Sequence, residues 1–165
     1  MATRKTSLRI ALVAALAAIV AVVAIGWIGS ASSKAAARRA ASTATVQTRK
    51  VGKLGVILVN SKGRTLYMFV RDKQKKVTCT SKGCVTIWPP LKIKKGLRPT
   101  AGGAAKKKLL GVDLSPKGYR VVTYNHWPLY TYLTDTKPGQ ATGQGVNNSG
   151  GKWFVLSASG QVIRK

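Results

Sequence analysis

Two stretches, LYMFVRD at 66–72 and LYTYLTD at 129–135, are near copies, although this chain has only three aspartates and no glutamate. That repetition constrains the fold more than any other feature. Within LYMFV, Tyr67 and Phe69 point to one side of an extended chain, and Leu66, Met68 and Val70 point to the other. Both faces are apolar, which predicts a central strand covered on both sides. LYTYL reads the same way, with Thr131 as its one weak point. Phe69 matches Tyr132, and Trp88 and Trp153 follow the two aspartates at similar distances. The lead-ins LGVILVNSKGRTLY and LGVDLSPKGYRVV also resemble each other. Two copies with a period near 63 residues suggest a pseudo-twofold domain rather than a solenoid.

The local pattern is β throughout. Short runs of Val, Ile, Thr, Tyr and Phe are separated by turn signals such as NSKG, SPKG, KPG and NNSGG. After Lys50 no stretch carries a helical apolar period. The expected fold is all-β, a small sandwich or partly closed barrel of about six to nine strands. It is built from two pseudo-twofold-related repeats, about 53–92 and 109–160.

Tyr67, Phe69, Trp88, Tyr130, Tyr132 and Trp153 recur at fixed places in both copies, which reads as core packing. Asp72 and Asp135 each end an apolar segment and enter a polar loop. A carboxylate there accepts hydrogen bonds from following N–H groups and fixes a turn. The sharper alternative is a catalytic dyad brought together by the twofold relation. Cys79 and Cys84 are the only cysteines and His126 the only histidine, too few ligands for a zinc site. Outside the membrane a Cys79–Cys84 disulfide is the default, and its spacing is not that of a thioredoxin-like pair. GQGVNNSGG precedes a strand rather than a helix, so a phosphate loop is not supported. No catalytic residue, metal site or cofactor is expected.

Residues 10–28, IALVAALAAIVAVVAIGWI, carry no charge and follow Arg4, Lys5 and Arg9. As a helix they would span roughly 29 Å, about one hydrocarbon core. The segment fits a retained single-pass anchor or a cleaved signal, with the domain outside in either case. The expected organisation is a signal or transmembrane helix at 1–29, an Ala/Ser/Thr/basic linker at 30–50 and a β-domain at 51–165.

The formal net charge is +26. Cations crowd the first half of the domain: Lys73, Lys75, Lys76, then Lys92, Lys94 and Lys95, then Lys106, Lys107 and Lys108. Such a surface attracts polyanions. Aromatic residues among cations could also stack on single-stranded nucleic acid. Their fixed positions in the two copies and the export of the domain argue against that partner.

The ordered motifs LYMFVRD, the Cys–Cys loop leading into VTIWPPL, VTYNHWPLY, LYTYLTD and KWFV resemble the secreted bacterial repeat proteins. These are also described as predicted lipoproteins with a Tyr-x-aromatic-x-x-Asp motif. The resemblance covers roughly residues 54–156. It implies an extracytoplasmic β-domain and no defined activity. Three features depart from the family pattern. No lipobox cysteine is present, the cysteine loop holds four residues rather than three, and Tyr-Asn-His replaces Tyr-Asn-Gly. The last argues against a tight two-residue hairpin turn at Asn125-His126, because His tolerates positive φ less well than Gly.

The leading expectation is a non-enzymatic envelope protein whose basic lysines meet an anionic cell-wall polymer or lipid surface. The alternative is an accessory enzyme or redox protein using Asp72 and Asp135 or the cysteine pair. Oligomeric state is not encoded in any pattern found.

Overall fold

The computed structural model describes residues 45–72 and 76–165. The expected membrane segment at 10–28, most of the linker, Lys73 and Lys75 lie outside the described residues. Among the described residues, no helix is long and apolar enough to cross a membrane.

The described chain is mostly β. Its strands are β1 (Val46–Val51), β2 (Gly55–Asn60), β3 (Tyr67–Phe69), β4 (Leu110–Leu114), β5 (Arg120–Tyr124), β6 (Trp127–Pro128), β7 (Asn147–Asn148) and β8 (Gly151–Val155). They form three antiparallel sheets, β1-β2, β3-β8-β7 and β4-β5-β6, which do not close into a barrel. β1 starts inside the stretch expected as a linker, so regular structure begins before Val51. Val46 is fully buried there while Arg49 and Lys50 face solvent, which is how a basic segment can still anchor a strand.

The expected absence of helix is corrected by one short element, α1 (Lys82–Ile87). Ser81 caps it, its hydroxyl accepting from the Cys84 N–H at 3.2 Å. Six residues are less than two turns, too few to display a 3.6-residue period.

The two copies interlock. Leu58 in β2 donates its N–H to Leu156 of the second copy, and Val122 in β5 donates to Leu91 of the first. At the centre Tyr67 and Tyr130 exchange backbone bonds, 2.8 Å one way and 2.9 Å the other. The hairpin β1–β2 therefore answers to β4–β5. This corrects the lead-in alignment, which matched β2 to β4 because Leu-Gly-Val occurs at the start of each.

β3 is covered on both faces, as expected, although it stands at the end of its sheet rather than in the middle: Met68 packs in one core cluster with Leu58, Leu66, Val122 and Leu156, while Tyr67 and Phe69 pack in the other. Its second-copy counterpart is not a strand. Beyond Tyr130 the segment reaches the facing chain through the Thr131 and Leu133 N–H groups, which donate to Pro89 and Ile87, and Leu133 is 54% exposed. The reason is the facing segment. β3 opposes Trp153–Val155, where every residue has an N–H, whereas Tyr130 opposes Pro89-Pro90, which have none.

Asn125 and His126 do form the tight turn that the Tyr-Asn-His sequence argued against. Their φ values are 47° and 66°, and Tyr124 pairs directly with Trp127. Asn125 is held from two directions, its N–H donating to Leu109 and its Nδ2 to the Gly160 carbonyl at 3.0 Å. Those bonds, together with the β5–β6 pairing, offset the strain of a left-handed histidine.

Candidate functional site

The recurring motif residues meet where the copies cross. Trp88 and Trp153 stack face to face, with centroids 4.0 Å apart and planes 1° from parallel. Phe69 stacks on the far side of Trp153 and Tyr132 on the far side of Trp88, each at 4.1 Å. The result is a four-ring pile whose inner pair comes one from each copy. Tyr67 meets Trp88 edge-on at 5.5 Å, and Tyr130 meets Trp153 likewise at 5.1 Å. Asn148 ties both indoles, accepting from Trp88 Nε1 with its Oδ1 and from Trp153 Nε1 with its carbonyl.

Beside the rings lie the two aspartates, both fully buried. The Asp72 Oδ1 accepts from the backbone N–H and hydroxyl of Thr78, at 2.8 and 2.7 Å, and its Oδ2 accepts from the Tyr130 hydroxyl at 2.7 Å. The Asp135 Oδ1 accepts from the N–H and hydroxyl of Thr142, and its Oδ2 accepts from the Tyr67 hydroxyl at 2.5 Å. Each aspartate therefore folds its own loop with one oxygen and captures the tyrosine of the other copy with the second. The turn-fixing donors lie six and seven residues downstream rather than immediately after the aspartate. The cross-copy tyrosines were not foreseen.

Both oxygens of each aspartate are engaged by protein donors, and neither has a face open to a substrate. Burial pushes the Asp72 carboxyl above its ordinary value, against the opposing effect of the Thr78 and Tyr130 donors. Burial likewise pushes the Tyr67 and Tyr130 hydroxyls up, and the adjoining aspartates add to it.

Removing one hydroxyl tests this arrangement. Tyr67→Phe leaves Asp135 Oδ2 without its donor and the Gly143 N–H without the Tyr67 oxygen it reaches at 3.2 Å. Tyr130→Phe removes only the donor to Asp72. Losses of about 1–3 kcal/mol are expected, with Tyr67→Phe the larger. Urea midpoints of the two variants check the order; a Tyr130→Phe loss exceeding that of Tyr67→Phe would reverse the assignment.

Cys79 and Cys84 form a disulfide that lies in the aromatic cluster, with both residues buried. Cys79 sits where the second copy has Gly143, whose missing side chain leaves room for the Trp88 ring. A Cβ there would come within 2.8 Å of Trp88 Cη2.

The lysines occupy a different region. Lys92, Lys94 and Lys95 follow the segment that pairs with β5, Lys92 bridging Val121 and Ile93 donating to the Arg120 carbonyl. The Lys92 ammonium lies 4.4 Å above the Tyr119 ring, and Arg120 reaches back to the Lys94 carbonyl at 2.5 Å. Lys106, Lys107 and Lys108 are exposed just ahead of β4, and Lys76 is exposed after Asp72. Arg120 and Arg98 join this basic surface although runs of lysine drew attention away from them. A lone arginine inside an apolar strand gives no charge-run signal.

A family model described as a secreted repeat of unknown function matches residues 48–92 and 111–157. Both matches begin in the first strand of a hairpin, β1 or β4, and end at a residue that bridges the other copy's hairpin, Lys92 to Val121 and Ser157 to Ile57. No curated protein and no solved structure matches the chain.

Proposed function

The chain belongs to the secreted-repeat family of unknown function, and from that premise we propose a non-enzymatic extracytoplasmic role. In this reading it is an envelope protein whose basic β-domain docks on an anionic cell-wall polymer or lipid surface. Residues 10–28 carry the domain across the membrane and serve as a retained single-pass anchor or a cleaved signal. Intact mass of the mature chain separates those two fates.

One observation carries the reading. The exposed lysines at 92, 94, 95 and 107 line, with Arg98 and Arg120, two adjoining surface cavities, while the chain has only three side-chain carboxylates with which to neutralise its cations. Two of those three, Asp72 and Asp135, are consumed inside the core. Surface cations therefore remain available to an external polyanion.

Retention on a polyphosphate resin tests this. Binding should be firm at low salt and should fall steeply towards physiological ionic strength, because exposed charge contacts are screened over about 8–10 Å. Charge reversal at Lys94 and Lys95 should lower the eluting salt concentration. Retention indifferent to salt would contradict the reading.

A further inference from the structure

Two open cavities adjoin on the basic side and share Arg120. One, of about 660 Å3, is lined by Lys92, Lys94, Lys95 and Leu114; the other, of about 490 Å3, is lined by Leu97, Arg98, Lys107 and Val112. Apolar side chains lie among these cations, Leu114 in the first cavity and Leu97 and Val112 in the second. Leu110, Val112 and Leu114 alternate onto one face of β4, and Leu110 packs against the core cluster. Leu114 is 69% exposed and Leu97 is 55% exposed, each beside cations. Solvated charge runs do not require large exposed leucines among them. A binding surface for a purely ionic polymer gains nothing from them either.

We infer that this cleft docks on the surface of an anionic phospholipid bilayer, an inference that rests on the anion-binding reading above and names its partner. Lys94, Lys95, Arg98 and Arg120 meet the headgroup phosphates, Arg120 with its guanidinium held by the Lys94 carbonyl. Leu97 and Leu114 pass between the headgroups into the acyl boundary. The pairing of apolar insertion with cationic attraction is the physical basis of interfacial attachment to anionic lipid. Charge complementarity selects this occupant over a second copy of the chain, because two such faces repel each other.

The domain at 40–165 suits the experiment, because it is one compact unit, among the described residues holds both core clusters, and lacks the hydrophobic N-terminal segment, which would insert on its own. Three probes are used: vesicles of mixed phosphatidylglycerol and phosphatidylcholine, vesicles of phosphatidylcholine alone, and soluble polyphosphate. The wild-type domain should sediment with the mixed vesicles and not with the neutral ones, and should bind polyphosphate. The double variant Leu97→Ser/Leu114→Ser changes only exposed side chains, so its melting temperature should stay near that of the wild type. Its affinity for the mixed vesicles should fall by about tenfold or more while polyphosphate binding is unchanged. Equal vesicle binding by wild type and double variant would overturn bilayer docking and leave the polyanion reading in place. Failure of the wild type to bind either mixed vesicles or polyphosphate would remove both.

Discussion

Trp88→Ala should cost about 3–5 kcal/mol and should melt both copies of the repeat together. The magnitude follows from what the ring touches. It is stacked between Trp153 at 4.0 Å and Tyr132 at 4.1 Å, it receives the edge of Tyr67, and its Nε1 donates to Asn148 at 3.1 Å. Alanine leaves a cavity that its neighbours cannot easily fill, since the Trp153 and Tyr67 rings are each held by their own hydrogen bond. A domain of this size has only about 5–15 kcal/mol of total stability, so the variant loses a large fraction of it. The cooperativity is the more telling part. Trp88 belongs to the first copy, yet both of its stacking partners belong to the second. Backbone bonds at Tyr67–Tyr130, Leu58–Leu156 and Val122–Leu91 cross the same boundary. Neither copy has a core without the other. Urea unfolding followed by far-UV circular dichroism and by tryptophan fluorescence should therefore give coincident curves at a lowered midpoint. Two separated transitions would show that the copies are independent units. As a control, Leu133→Ala alters an exposed side chain and should change the unfolding free energy by no more than about 0.5 kcal/mol.

The aromatic positions could be read from the chain because they recur: Tyr67 with Tyr130, Phe69 with Tyr132, Trp88 with Trp153. Recurrence announces that residues are equivalent. It does not say which copy supplies the partner. Tyr67 finds its carboxylate 68 positions away rather than at the nearby Asp72, and no local pattern encodes that exchange. The same gap explains the slipped lead-in alignment. Leu-Gly-Val at 54–56 and at 110–112 is a coincidence of letters, and only strand pairing reveals that β4 stands where β1 stands. Local chemistry overrode expectation in three further places. Pro89-Pro90 deny donors to the LYTYL segment, a fact written in the sequence but meaningful only once the two are known to face each other. Asn125 secures a left-handed turn through Leu109 and Gly160, both distant in sequence. The basic cleft needed the pairing of residues 92–93 with β5 before Arg120 could join the lysines. Periodicity and composition delivered the β class, the duplication and the cationic surface; the exchange between copies came from tertiary contacts alone.

Those buried tyrosines and Asp72 also set the response to pH, and the two ends of the scale should differ. Tyr67 and Tyr130 have hydroxyl pKa values raised above the ordinary tyrosine value, by burial first and then by the aspartates they bond. A raised folded-state value means the contribution is fully present below the unfolded value near 10 and is lost as pH rises above it. Each tyrosine kept neutral in the fold and ionised in the unfolded chain costs about 1.4 kcal/mol per pH unit. Together they remove roughly 5 kcal/mol by pH 12, comparable with the loss from Trp88→Ala. Lysine deprotonation over the same range relieves self-repulsion and acts in the opposite direction, so the net fall is attributable to the tyrosines. The expected signature is a step in phenolate absorbance coinciding with loss of far-UV structure. Gradual ionisation of every tyrosine with the fold intact would contradict it. At the acid end, the raised Asp72 value has the opposite consequence to the usual depressed carboxylate. Its contribution is complete below about 3.9 and is lost as pH rises through the folded-state value, so acidification from neutrality restores stability at this residue. With only three aspartates and His126 to protonate, the net charge of +26 changes little on the way. The urea midpoint at pH 4 should thus be no lower than at pH 7, and a marked acid-side drop that Asp72→Asn abolishes would show that burial does not dominate at Asp72.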